Sequence, residues 1–207
     1  MLPASRHVYL ASRSARRREL LKQIGVSFEI LLLREGQGRP ADFNETPLPG
    51  EAAVDYVQRV ATAKVEAGWT RLSQRRLMRS FPVLSADTTV AVEGEILGKP
   101  ADREQAIAFL RRLSGKAHQV HTAVAVKFDQ RTEVAVSSTT VELRELTDSE
   151  IRQYVAGGEP LDKAGGYAIQ GRGAVFIRSI SGSYTGVMGL PLFETSQLLA
   201  RFGHATV

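Results

Sequence analysis

Cysteine is absent from the 207-residue sequence. Its absence excludes disulfides, a thiolate nucleophile and Cys-ligated zinc, iron–sulfur or haem sites, and fits a reducing cytoplasm. No uncharged apolar run approaches the roughly 18 residues that span a bilayer, and Met1 to Ala11 lacks the grammar of a signal peptide. A cytoplasmic protein without a membrane partner is expected. No Gly-Lys-Ser/Thr closes a glycine loop, so no Walker A site is present, and no dinucleotide fingerprint follows the first strand. Neither sign of charge dominates: 27 Lys and Arg face 22 Asp and Glu, a net charge of +5. Such a balance suits either nucleic acid or one small polyanion such as a nucleotide. With 43% hydrophobic and 24% charged residues, the chain is that of an ordinary globular protein with a substantial core.

Helical and strand patterns alternate along the chain, which predicts an α/β or α+β class. Val8 to Ala11 reads as a strand, followed by Ser12-Arg13-Ser14 and a helix to about Ile24 that Gly25 stops. Val26 to Leu33 reads as a second strand, and 34–50 as a loop rich in Gly and Pro. A helix is predicted over Glu51 to Ala67 with Gly68 as its terminator, then a basic segment over 69–81. Pro82 to Ala86 reads as a strand that stops at Asp87, with a hairpin turn expected at Glu93-Gly94. Asp102 with Gln105 and Thr147 with Glu150 are capping-box patterns that open two further helices. Val120 to Phe128 and Val134 to Leu143 pair across a turn, Ala174 to Ile177 reads as a strand, and Pro191 opens the last helix.

The first helix carries Arg16, Arg17 and Arg18 in its opening turn, where the helix dipole disfavours cations and only Glu19 offsets them. A strand, two serines and an arginine-rich helix start form an anion-site layout. Free backbone N–H groups and planar guanidinium donors both fit phosphate oxygens. The same residues are also read as a helix that Ser14 merely caps while its arginines face solvent, or as a nucleic-acid backbone site. Asp87, next to Thr88-Thr89, is a candidate base or metal ligand, or else an Asx turn. Lys99 offsets phosphate charge if it lies in a cleft. His118 and His121, three apart on a strand, point to opposite faces and make a poor metal pair, so no histidine is assigned to chemistry. Spacing leaves a two-carboxylate glycosidase arrangement open, but the arginine-rich opening favours phosphates.

Several segments in one order carry more than generic pattern: Leu10-Ala11-Ser12-Arg13-Ser14-Ala15-Arg16-Arg17, Ser85-Ala86-Asp87-Thr88, Leu97-Gly98-Lys99-Pro100, Leu161 to Gly171, and Val187-Met188-Gly189-Leu190-Pro191. Together they closely resemble the Maf family of nucleoside triphosphate pyrophosphatases, from about Val8 to Phe202. The resemblance implies one domain over 1–207: a mixed, strongly curved sheet in two lobes with a central cleft, an architecture shared with inosine-triphosphate pyrophosphatases. It implies a cytoplasmic house-cleaning hydrolase, dimeric, using a divalent metal cation (Mg²⁺ or Mn²⁺), that cleaves a nucleoside triphosphate to the monophosphate and pyrophosphate as water attacks the α-phosphorus.

Asp87 matches the family's proton acceptor; Arg16, Thr88 and Gln170 match positions tied to base choice. Ser12, Arg17, Lys64 and Lys99 match polar positions that contact phosphates, and Asp162 with Lys163 matches an acidic–basic pair. Glu45 is the candidate for the acidic residue of the early loop and, with Asp87, for a metal ligand. Arg16, Thr88 and Ile169-Gln170-Gly171 resemble the dTTP/UTP branch. The alternatives are the same reaction on 7-methyl-GTP or modified nucleotides, or a non-catalytic nucleotide- or nucleic-acid-binding regulator. This sequence departs from the family pattern at Ala15, where many relatives have proline. It departs again in the early loop, which lacks a dense acidic run, and in the basic 69–81 segment, which reads as an insertion.

Overall fold

A computed structural model describes residues 7–34, 40–74, 81–204 and 206. A seven-stranded sheet runs in the order β2-β1-β3-β5-β6-β7, with β4 paired to β3 outside that path. The strands are β1 (His7–Leu10), β2 (Ser27–Ile30), β3 (Val83–Val92), β4 (Glu95–Leu97), β5 (Ala117–Phe128), β6 (Arg131–Leu143) and β7 (Ile177–Ser181). β1 lies parallel to β2 and β3, whereas β3, β4, β5, β6 and β7 pair antiparallel, so the sheet is mixed. The helices are α1 (Ala15–Gln23), α2 (Ala53–Gln74), α3 (Arg103–Leu113), α4 (Asp148–Ala156), α5 (Tyr184–Met188) and α6 (Leu192–Arg201).

Strand alternation decides which helices cover which face. Val8, Leu10, Leu84, Ala86, Val124 and Val126 point to the side covered by α1 and α6. Their sequence neighbours Tyr9, Ala11, Val83, Ala123 and Ala125 point to the opposite side, under α2. Toward its C-terminal end β3 enters a third packing zone. There Val90, Val92 and Leu97 meet α3, α4, Tyr167 and Phe176. The long strands β3 and β5 thus pass from one core into another. Asp87, Thr88 and Thr89 occupy the stretch of β3 between them.

That continuity corrects the expectation that the strand stops at Asp87. Nine β3–β5 partners from Val83↔Lys127 to Ala91↔Gln119 keep the ladder intact through the polar residues. Asp87 and Thr88 border a cleft from opposite faces of the strand, so their polarity does not mark a strand end. The hairpin turn is where it was expected, with Glu93 and Gly94 at φ of 52° and 80°, the left-handed pair such a tight turn demands.

The expected stop at Gly68 is also wrong. α2 runs on to Gln74, so the first residues of the basic segment are helical; positions 75–80 lie outside the described residues. Gly68 instead marks close packing, since a Cβ there would sit 2.9 Å from Val83 Cγ1 and 3.2 Å from Leu31 Cδ2. The second strand is shorter than expected, at Ser27–Ile30, and Arg172–Phe176 forms a 3₁₀ turn ahead of β7 rather than a strand. Thr147 and Glu150 form a complete capping box. Asp102 accepts from Gln105 N, while the Gln105 side chain takes Ala101 N.

His118 and His121 do face opposite ways on β5. His118 Nε2 meets Tyr167 Oη at 2.7 Å and His121 Nδ1 meets Ser138 Oγ at 2.8 Å. Burial pushes His118 down from an ordinary 6.5 to about 4, and burial lowers His121 as well. The folded protein therefore refuses a proton that the unfolded chain accepts. Stability conferred by neutral His118 is complete above about pH 6.5 and is lost as pH falls toward 4. Denaturant midpoints measured between pH 7 and 5 should fall for the wild type. They should fall less steeply for His118→Gln, whose absolute stability is lower throughout.

Candidate active site

β1 ends at Leu10 and α1 begins at Ala15, so Ser12, Arg13 and Ser14 form the junction between them. Ser14 caps α1, its hydroxyl accepting from Arg17 N at 3.4 Å. With no acid in the first turn, the arginines are held by other means. Arg17 Nε donates to Gly189 O at 2.7 Å, Nη1 to Ser12 Oγ at 3.3 Å and Nη2 to Thr88 Oγ1 at 3.2 Å. Arg16 Nε donates to Met188 O at 3.3 Å. Arg16 and Arg17 therefore point inward against the carbonyls at the C-terminal end of α5, which disfavours the reading that these two are surface charge. Burial lowers the Arg17 pKa, while Asp87 and Glu45 act to raise it.

The hydroxyl protons around Arg17 have one consistent order. Thr122 Oγ1 donates to Gly186 O at 2.8 Å, so in its 2.9 Å contact with Thr88 it is the acceptor. Thr88 then gives its proton to Thr122 and its lone pair to Arg17. The chain Arg17–Thr88–Thr122–Gly186 ties α1, β3, β5 and α5 together beneath the cleft.

Asp87, on the other face of β3, is only 8% exposed. Its Oδ1 accepts from Lys64 Nζ at 2.7 Å, and the same ammonium lies 2.5 Å from Glu45 Oε1. Phe43 adds an aromatic ring 5.1 Å from Lys64 Nζ. Burial alone would raise the Glu45 carboxyl, but Lys64, Lys99 and Arg17 outweigh it and hold Glu45 below the usual carboxylate range. Two carboxylates thus converge on one point.

Among the described residues no three His, Cys, Asp or Glu side chains group to hold a metal. The two hard oxygen donors still suit Mg²⁺ or Mn²⁺, since such ions at nucleotide sites take one or two carboxylates and complete their shell with phosphate and water.

Ser12, Arg16, Arg17, Glu45, Lys64, Asp87, Thr88, Lys99, Asp162, Lys163 and Gln170 all line one cleft of about 900 Å³. Asp162 and Lys163 pair with each other at its rim. Gln170 is exposed, on a turn fixed from behind by Glu159. That carboxylate accepts from Tyr154 Oη at 2.7 Å, Arg172 N at 2.9 Å and Gly173 N at 3.1 Å. Gly171, at φ 144°, lies so close that a Cβ would come within 2.7 Å of Glu159 Oε2. The cleft has a charged end, at Ser12, Arg17, Lys64 and Asp87, and an apolar wall that includes Val90, Ile96, Phe109, Val120 and Tyr167.

Sequence reasoning did not single out Phe43, Tyr56, Arg59 or the apolar wall. Tyr56 and Arg59 stand three residues apart on α2, one turn from each other, and that helical spacing was the available signal.

The chain matches the model of the Maf-like protein family over residues 7–202 and belongs to that family. It is 58% identical over 201 residues to the dTTP/UTP pyrophosphatase of Nitrosomonas europaea, covering 97% of each chain. It is 57% identical over 205 residues to that of Aromatoleum aromaticum, covering 99% of each, and 50% identical over 196 residues to that of Chromobacterium violaceum, covering 95% of this chain and 94% of the relative. Among solved structures, the Staphylococcus aureus Ham1 protein aligns with a TM-score of 0.45 and 17% identity, over 66% of this chain and 71% of the other. The fold is the mixed α/β arrangement of the Maf family, a central sheet with helices packed on it, and the protein is an enzyme of the nucleoside triphosphate pyrophosphatase class.

Thr122→Val keeps the side-chain shape, takes the acceptor from the Thr88 hydroxyl proton and removes one of the two donors to Gly186 O, leaving Gly189 N. Denaturant unfolding should show a loss of about 0.5–1.5 kcal/mol for each hydrogen bond removed.

Proposed function

We propose that this protein hydrolyses dTTP and UTP to the nucleoside monophosphate and pyrophosphate, within a single domain whose packing zones act as lobes on either side of the cleft. The observation that carries the reading is the shared cleft: the Arg16–Arg17 junction, Lys64 and Asp87 border one space of about 900 Å³, within the range that encloses a small ligand. Identities of 50–58% to proteins named dTTP/UTP pyrophosphatase, across nearly their whole length, support the choice of substrate.

In the reaction a water oxygen bonds to the α-phosphorus, the bond from that phosphorus to the α,β-bridging oxygen breaks, and pyrophosphate leaves with that oxygen. Lys64 fixes the Asp87 carboxylate through Oδ1, and the carboxylate takes the proton of the attacking water. Arg17, anchored on Gly189 and Thr88, presents its guanidinium to the phosphates without reorganising, and Arg16 and Lys99 add positive charge as the transition state forms. Ser12 and the start of α1 receive phosphate oxygens.

A divalent cation, Mg²⁺ or Mn²⁺, would be held by Asp87 and Glu45 and would supply charge neutralisation for the phosphates. The base lies against the apolar wall, with Gln170 and Arg16 at its edge. The Gln170 amide donates to a pyrimidine carbonyl and accepts from N3–H. Thr88 supports base choice from behind Arg17, because its proton is already given to Thr122. Asp162 and Lys163 close the rim. A cytoplasmic location belongs to the same reading; no helix among the described residues is long and apolar enough to cross a membrane. A homodimer is the expected assembly.

Pyrophosphate release from dTTP, UTP, CTP and 7-methyl-GTP, each with Mg²⁺ or Mn²⁺, tests the reading. Turnover of dTTP and UTP should exceed that of the other two, and Asp87→Asn should cut it at least ~100-fold while leaving the fold intact. Preferred turnover of 7-methyl-GTP would move the protein to another substrate branch. Nucleic-acid binding with no hydrolysis would make it a regulator.

A further inference from the structure

Glu45 stands on a segment with no regular secondary structure, yet its carboxylate reaches Lys64 at 2.5 Å. The reason lies one to two turns earlier on α2. Arg59 Nη1 donates to Asn44 O at 3.2 Å and Nη2 to Thr46 O at 3.0 Å, which are the carbonyls on either side of Glu45. Tyr56 Oη donates to the carbonyl of Glu45 itself at 2.9 Å. Three successive carbonyls are therefore held from one helix. Arg59 is oriented for this by Glu51, which takes its Nε at 2.5 Å and Nη2 at 2.8 Å while also accepting from Leu48 N at 2.9 Å. The Asn44 side chain closes the turn by accepting from Thr46 N at 2.8 Å. The far end of the same loop is thus tied to the guanidinium that grips its near end. No lysine reproduces this arrangement, because a single ammonium lacks the planar fork that serves two carbonyls and a carboxylate at once.

From this geometry we propose that Arg59 is a positioning residue for the reaction: with Glu51 and Tyr56 it clamps the Asn44–Thr46 backbone, and so sets the Glu45 carboxylate beside Lys64 and Asp87. It touches neither substrate nor the reacting atoms. The proposal rests on the pyrophosphatase reading for its kinetic consequence, but not for the clamp itself.

Two measurements separate these. Amide hydrogen exchange over 44–51 is read on wild type, Arg59→Lys, Arg59→Met and Glu51→Gln without substrate. Exchange in that segment should rise ~10-fold or more in all three variants, with the β3 amides unchanged. Exchange that stays at the wild-type level in Arg59→Met, or rises equally across β3, overturns the clamp whatever the enzyme hydrolyses. Pyrophosphate release from dTTP is then read for Arg59→Met, Glu45→Gln and the double variant. If Arg59 works through Glu45, kcat falls more than KM rises in each single variant, and the double variant is within ~3-fold of Glu45→Gln alone. Losses that multiply would show that Arg59 acts independently of Glu45. Should Arg59→Met not fold, the same cycle is run with Glu51→Gln. A wild type that fails to turn over dTTP counts against the substrate reading alone, since the exchange result stands on its own.

Discussion

One ammonium holds the charged end of the cleft together. Asp87 and Glu45 come from a buried strand and an irregular loop, and like charges brought that close repel unless something stands between them. Lys64 lies 2.7 Å from one and 2.5 Å from the other, so the two carboxylates face the same point with their charge offset. Its stem rises from α2, packed against the sheet through Val57, Ala61 and Val65. The helix cannot shift without carrying the ammonium with it. The geometry proposed for catalysis thus inherits the rigidity of a hydrophobic contact.

The opposite wall follows the same logic with the sign reversed. An arginine-rich first turn costs α1 stability against its own dipole. The protein offsets that with carbonyls and hydroxyls rather than carboxylates, at Gly189, Met188, Ser12 and Thr88. Neutral acceptors orient a guanidinium without cancelling its charge, which remains available to an anion. A carboxylate partner would have used up the charge that phosphate needs.

Much of this was legible in the sequence. The serine–arginine junction, the Glu93-Gly94 turn and the Thr147 cap are local grammar, and each is encoded within a few residues. Every candidate site residue named from sequence lines the one cleft. What the sequence hid are the long-range facts. A polar trio in the middle of β3 looks like a strand end, because hydropathy does not distinguish a turn from a cleft wall. Gly68 looks like a helix stop, because only the approach of Val83 and Leu31 explains why that position has no side chain. Tyr56 and Arg59 look like an exposed helix face until the loop over 44–51 folds back onto them. In each case the missing information was a neighbour distant in sequence.

The central claim is that one nucleotide spans both walls at once, with its phosphates between Arg17 and Asp87. A crystal structure of Asp87→Asn with dTTP bound tests this most directly. The account predicts the α-phosphate beside residue 87, the outer phosphates against Ser12 and Arg17, and the thymine edge at Gln170. A nucleotide seated elsewhere, or one whose base occupies the place between Arg17 and residue 87, would contradict it.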